Sequence, residues 1–200
     1  ENLSKHRYNQ FRYDIAYILG RVYKTDRNKK ILFSLLNDRD FTTRCEAAES
    51  IAYRADDIDG INALKIALKI EKKINAKYYM IWALTQITLG NREYQNDIID
   101  YINVILNDAK DYQEKYYCYY CLSQLGEKQY FDKLFADLKS TNSNKVTRVV
   151  RLLLDILEDE KIANIDVYSS KIKNEAKILR TEINKQHKKN NDFIKKLDIK

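Results

Sequence analysis

The stretch CYYC, residues 118–121, sets Cys118 and Cys121 at the spacing of a redox dithiol or of half a zinc site. Dithiol chemistry needs a thiol whose pKa is lowered at an electropositive helix N-terminus, in a strand-to-helix setting. The surrounding KYYCYYCLSQ shows neither feature. Zinc needs further ligands, and the remaining candidates, Cys45, His6 and His187, are scattered along the chain. The two cysteines therefore read as small hydrophobes on one helix face. In RADDID, residues 54–59, Asp56, Asp57 and Asp59 could bind a cation or exchange protons. They fall where a turn meets a helix N-terminus, and carboxylates there cap free amides. Four glycines placed singly make no phosphate-binding loop, and two histidines give no support to a His-dependent hydrolase. No catalytic, cofactor-binding or metal-binding residue is assigned, and the chain is expected not to be an enzyme.

Tyrosine is the unusual component, with 16 residues. KYYMIW places Tyr78, Tyr79 and Trp82 together, and KYYCYYC places Tyr116 and Tyr117 beside Tyr119 and Tyr120. A buried tyrosine packs its ring and sends its hydroxyl to a partner, whereas exposed aromatics dominate binding hot spots. Tyr78, Tyr79, Trp82, Tyr116 and Tyr117 are the candidate residues for contact with a partner protein. Cations form the competing set. RVYKTDRNKK supplies Arg21, Lys24, Lys29 and Lys30, and the C-terminal end supplies Lys185, Lys188 and Lys189. These could follow a phosphate backbone, in which case binding would depend steeply on salt.

The elements that would carry these residues are helices. Proline is absent, glycine is nearly so, and 32% of residues are charged, so long uninterrupted helices meet few breakers. The 44% hydrophobic content suffices for a core without disulfides. Three cysteines are too few for a disulfide framework, which fits a reducing cytoplasm. Apolar runs such as VVRLLLDIL, 149–157, stop well short of the ~20 residues a membrane span requires. Residues 161–200 carry +6 of the net +7, leaving the rest nearly neutral. The chain starts at Glu1, which suggests a fragment or a processed form.

Leu-Gly recurs at Gly20, Gly90 and Gly126, 70 and 36 residues apart, and half the first interval falls at Ala55. A period of about 35 marks stacked helical hairpins. Glycine would end each first helix by taking the left-handed conformation. Second helices then follow, with apolar faces at Ile31, Leu32, Leu35 and Leu36; at Ala63, Leu64, Ala67 and Leu68; at Tyr94, Ile98, Ile99 and Ile102; and at Tyr130, Phe131, Leu134, Phe135 and Leu138. Asp40, Asp111 and Asn144 are expected N-caps, with Glu114 in capping-box spacing to Asp111. The expected fold is all-α: an α-solenoid of about five stacked antiparallel helix pairs over 1–160, closed by a basic helical cap over 161–200. In that cap Ile172, Ala176, Leu179 and Ile183 run at helical spacing before Phe193 and Leu197.

One set of positions resembles the HEAT-repeat family. Acidic residues precede a basic residue, with alanine four later and Leu or Ile seven later: Arg12, Ala16, Leu19 and Gly20, then Asp38 and Asp40 ahead of Arg44, Ala48 and Ile51. Lys77 and Lys115 take the arginine place further on, and Ile81 and Tyr119 the alanine place. The resemblance covers about residues 3–160. It implies macromolecular recognition on an extended concave surface. The expected function is that of a non-catalytic scaffold binding another protein, as a target-sensing arm of a larger protein or as an inhibitor of the immunity type. The alternative is a nucleic-acid-binding protein related to the HEAT-like glycosylases of alkylated bases, although no residues match a tryptophan–aspartate glycosylase constellation.

Overall fold

The computed structural model describes residues 3–22, 25–53 and 58–158, together with Thr181, Lys185 and Lys188. Ala55, Asp56 and Asp57 lie outside the described residues, as does the expected cap apart from those three positions. Among the described residues there is no strand. The helices are α1 (Asn9–Arg21), α2 (Asp26–Leu35), α3 (Phe41–Ala52), α4 (Ile58–Ile70), α5 (Ile74–Gly90), α6 (Gln95–Asp108), α7 (Tyr112–Gln124), α8 (Lys128–Ala136) and α9 (Ser143–Glu158). No described helix is long and apolar enough to cross a membrane. The chain forms two compact units, 1–121 and 122–200.

In the first unit consecutive helices pack as pairs, α1 with α2, α3 with α4 and α5 with α6. The first helices also pack on one another, with α3 lying against both α1 and α5. Small side chains permit this close approach. On α1 the buried residues are Arg12, Ala16 and Gly20, one per turn. Ala16 and Gly20 face Ser50 of α3, whose hydroxyl donates to the Ala16 carbonyl at 2.9 Å. Gly20 is therefore not a turn glycine. It lies inside α1, and a Cβ added there would come within 2.4 Å of Ser50 Cβ and 2.8 Å of its Cα. The second helices are linked more sparsely. Lys29 of α2 pairs with Asp59 of α4 at 2.8 Å, Lys65 of α4 pairs with Asp97 of α6 at 2.6 Å, and Tyr101 donates to the Lys65 carbonyl at 3.1 Å.

A repeated ion pair ties each first helix to the connection leading into the next. Arg12 forms a two-pronged bond with Asp38, at 2.6 and 2.8 Å, and its third nitrogen donates to the His6 carbonyl at 2.6 Å. Arg44 repeats the device with Glu71, at 2.5 and 2.9 Å, and with the Asp38 carbonyl at 2.7 Å. Each carboxylate in turn accepts backbone amides just ahead of the next helix, Asp40 on Asp38, and Lys72 and Lys73 on Glu71. Lys77 reaches Glu114 at 2.6 Å, in a more exposed single-pronged version. Glu114 is thus drawn to Lys77 rather than to a capping box. Asp40 and Asp111 cap as expected, accepting from Thr42 and Thr43 and from Gln113. Burial works to raise the Asp40 pKa, but bonds from Thr42, Thr43 and Asn9 outweigh it and hold the carboxyl low.

In the second unit α8 packs on α9, and both touch the 3₁₀ turn Asp137–Lys139. Tyr130, Phe131 and Leu134 are buried, as are Val146, Val149, Val150, Leu152, Leu153 and Ile156. Gly126 is the turn glycine of the expected kind, at φ 98°. The Glu127 amide donates to the Leu122 carbonyl and the Gly126 amide to Ser123, at 3.0 and 3.1 Å, the double bond of a Schellman closure. The cap of α9 is Asn142, which accepts from Asn144 and Lys145. Asn144, the residue expected there, sits inside the helix because the chain enters two residues earlier.

The three Leu-Gly glycines should therefore respond differently in urea unfolding. Gly20→Ala should lose about 1–3 kcal/mol from overpacking, against a helix-propensity gain of about 1 kcal/mol. Gly126→Ala should lose about 1–2 kcal/mol from its left-handed backbone, while Gly90→Ala, at the last residue of α5, should change stability by less than about 0.5 kcal/mol. Equal losses at all three would contradict this assignment.

Acid should expose the second rung. Burial works to raise the Glu71 pKa, but the bonds from Arg44 and the Lys73 amide win, and its carboxyl titrates below the ordinary glutamate value. The contribution is then complete above about pH 4.3 and is lost as pH falls through the lowered folded value. Stability measured against pH should decline across that interval, and Glu71→Gln should flatten the decline. An unchanged slope in the variant would exclude the rung as its source.

Candidate functional site

Between its two neighbours α3 leaves only a narrow stripe to solvent, including Cys45, Glu49 and Tyr53. On α1 the residues one turn apart are Tyr13, Tyr17 and Arg21. These stripes meet at Arg21. Its guanidinium bonds Glu46 at 2.7 Å and Glu49 at 3.1 Å, and lies 3.9 Å from the ring centre of Tyr17 and 4.6 Å from that of Tyr53. The cation is thus held between two aromatic rings over two carboxylates, a geometry in which ring quadrupole and ion pair act together. Tyr17 is 48% exposed and Tyr53 49%, so the outer surfaces of both rings face water.

The base of the cluster is closed. Glu46 is buried, with the Ser50 hydroxyl 3.1 Å away. Interaction with the Glu46 carboxylate, followed by burial, pushes the Tyr13 phenol up to about 12. Burial, then the neighbouring charge of Glu46, raises the Glu49 pKa, with Arg21 opposing. Two carboxylates sharing one arginine leave the cluster with a formal charge of −1. Its exposed part is aromatic, which suits contact with a partner surface better than proton transfer.

The expected aromatic set divides. Tyr78, Tyr79 and Trp82 are half-buried on α5. Tyr78 stacks on Tyr117 at 4.1 Å between ring centres and meets Tyr79 edge-on at 5.4 Å. Tyr116 and Tyr117, at 3% and 5% exposed, belong to the interior and offer no surface to a partner. The physical reason is ring packing within and between helices: Tyr117 is covered by Tyr78, and Tyr116 lies edge-on to Tyr112 and beside Tyr119. Tyr17 and Tyr53 are among the exposed rings that sequence reasoning passed over. The spacing Tyr13, Tyr17, Arg21 was the available signal, but the carboxylates that fix it come from Glu46 and Glu49, on a different helix.

The expected phosphate-tracking set is likewise altered. Arg21 is committed to Glu46 and Glu49, and Lys29 to Asp59. Lys30, Lys185 and Lys188 are exposed. Lys24 and Lys189 lie outside the described residues, as does His187. His6 accepts from the Tyr8 amide at 3.3 Å and packs edge-on to Phe11 at 4.7 Å.

Cys118 and Cys121 are buried, and all three cysteines are free thiols. Burial raises Cys118, and it pushes Cys121 and Cys45 up to about 12. A thiol held this far above its ordinary pKa forms almost no thiolate near neutral pH.

Compared with known proteins, the chain matches no family model and no curated protein.

A disulfide-forming reagent should therefore leave Cys118 and Cys121 unmodified in the native chain over times that fully label them in concentrated guanidinium chloride. Native-state labelling at the speed of a free thiol would place the CYYC pair in an accessible, reactive setting instead.

Proposed function

We propose that this chain is a non-catalytic helical-repeat protein that recognises another protein through the aromatic stripe of its first helices. The observation that carries the reading is the pair Tyr17 and Tyr53, half exposed yet clamped on one guanidinium. Exposed rings that are already fixed lose little conformational entropy on binding, and tyrosine is among the residues most enriched at interface hot spots. Tyr79 and Trp82 extend the same kind of surface onto α5.

The architecture we infer is a HEAT-like α-solenoid of about five stacked antiparallel helix pairs with a C-terminal cap. It is supported by the placement of α3 against both α1 and α5, and by the return of the Arg–carboxylate rung from Arg12 to Arg44 after 32 residues. Three free cysteines fit a cytoplasmic protein. Such a protein would serve as the sensing arm of a larger assembly or as an inhibitor of the immunity type. The competing nucleic-acid reading loses Arg21 and Lys29 to internal ion pairs.

The test is affinity capture with the full chain, followed by titration of the captured protein against a Tyr17→Ala/Tyr53→Ala variant. The expected loss is about 2 kcal/mol or more, roughly thirtyfold. A variant altered at Lys30 should bind as the parent does. Undiminished affinity in the tyrosine variant would remove this surface from the function. Capture of nucleic acid, released by modest salt, would favour the competing reading.

A further inference from the structure

Two clefts open at the edge of the first unit where each second helix turns into the next first helix. One, of about 470 Å³, is lined by Ser4, Lys5, His6, Arg7, Arg12 and Arg39 among others, with Asp38 as its carboxylate. The other, of about 300 Å³, is lined by Leu36, Arg44, Ile70, Glu71, Lys72 and Lys73. Both include Asn37 and Asp38, so the two clefts adjoin along one edge, called the groove below.

The charges in this groove do not cancel. Asp38 and Glu71 are consumed by Arg12 and Arg44 in the buried rungs. Lys5, Arg7, Arg39, Lys72 and Lys73 remain, and none of them forms an ion pair among the described residues. Lys5, Arg7, Arg39, Lys72 and Lys73 are all exposed. Arg39 is held in place by its bond to the Arg7 carbonyl, with no ion pair among the described residues. The groove thus has a cationic end at Lys5, Arg7 and Arg39 and another at Lys72 and Lys73. Near the second end lies Ile70, which is 66% exposed.

The geometry points to an acidic polypeptide segment as the occupant, with carboxylates toward both cationic ends and an apolar side chain on Ile70. This deepens the reading of the chain as a protein-recognition module and names the chemistry of a second contact. Charge complementarity favours an anion. The lining favours peptide over nucleic acid, because the second cleft offers a base no ring to stack on and the one ring at the first, His6, is already packed edge-on against Phe11. An exposed isoleucine likewise gains nothing from a phosphate.

The test uses the full chain and a fluorescent ten-residue peptide in which glutamate pairs alternate with single leucines. Fluorescence anisotropy should show saturable binding that weakens as salt rises. The charge reversals Arg39→Glu and Lys72→Glu/Lys73→Glu should each weaken it by about tenfold or more. The lysine pair has exposed side chains that make no ion pair among the described residues, so that variant keeps the test valid if Arg39→Glu perturbs the fold. Tyr17→Ala/Tyr53→Ala should leave peptide binding intact, which separates failure of this groove from failure of the aromatic stripe. A single-stranded oligonucleotide of equal charge should bind more weakly. Stronger oligonucleotide binding lost in the same variants would overturn the proposal in favour of nucleic acid, and peptide binding that is absent or indifferent to the reversals would overturn it outright.

Discussion

A guanidinium with 4% of its side chain exposed cannot be left unpaired, and Arg12 meets that demand with a carboxylate 26 residues away whose own side chain is 7% exposed. Removing a charge from water costs several kcal/mol, and only a fully bonded partner offsets it. The arrangement specifies position more than it stabilises. Arg12 fixes where the α2–α3 connection crosses α1, and Asp38 then presents its other bonds to the Asp40 amide, so α3 begins at a set point. Arg44 and Glu71 impose the same order on α5. Each rung is thus both the lock on one pair of helices and the start signal for the next.

The rung also explains the small residues around it. Holding α1 and α3 close requires Ala16, Gly20, Ala47 and Ser50 at or near the contact, all buried. Close approach of this kind buries two flanks of α3 and leaves one strip of it open. The side chains on that strip decide what the surface can do. On α1 and α3 they include Tyr17 and Tyr53, whose rings pack on Arg21, itself fixed by its ion pairs with Glu46 and Glu49.

Much of this was legible in the chain. Missing proline, scarce glycine and periodic apolar residues announced helices, and the matching positions of Arg12 and Arg44 announced a repeated device. Fine assignment failed where the deciding partner is remote in sequence. Gly20 and Gly126 share the same Leu-Gly signature, yet one is required by Ser50, thirty residues on, and the other by its own backbone angle. Tyr116 and Tyr117 look as available as Tyr17, and the rings that pack on them, Tyr78 on Tyr117 and Tyr112 and Tyr119 on Tyr116, separate them. Arg21 reads as a free cation until Glu46 and Glu49 arrive from α3.

The same economy accounts for the contrast between the two surfaces. Along the stripe, opposite charges are placed within reach of one another, so the field largely closes on itself and rings are what a partner meets. At the loop edge the carboxylates are spent inward on buried arginines, and the cations of the connections are left facing water. A buried Arg–carboxylate rung at a connection therefore removes the acid that would otherwise balance the lysines and arginines beside it. Repetition of the rung from Asp38 to Glu71 then gives cations at Arg39 and again at Lys72 and Lys73. A device that sets the order of the helices has, as its electrostatic consequence, a positive edge.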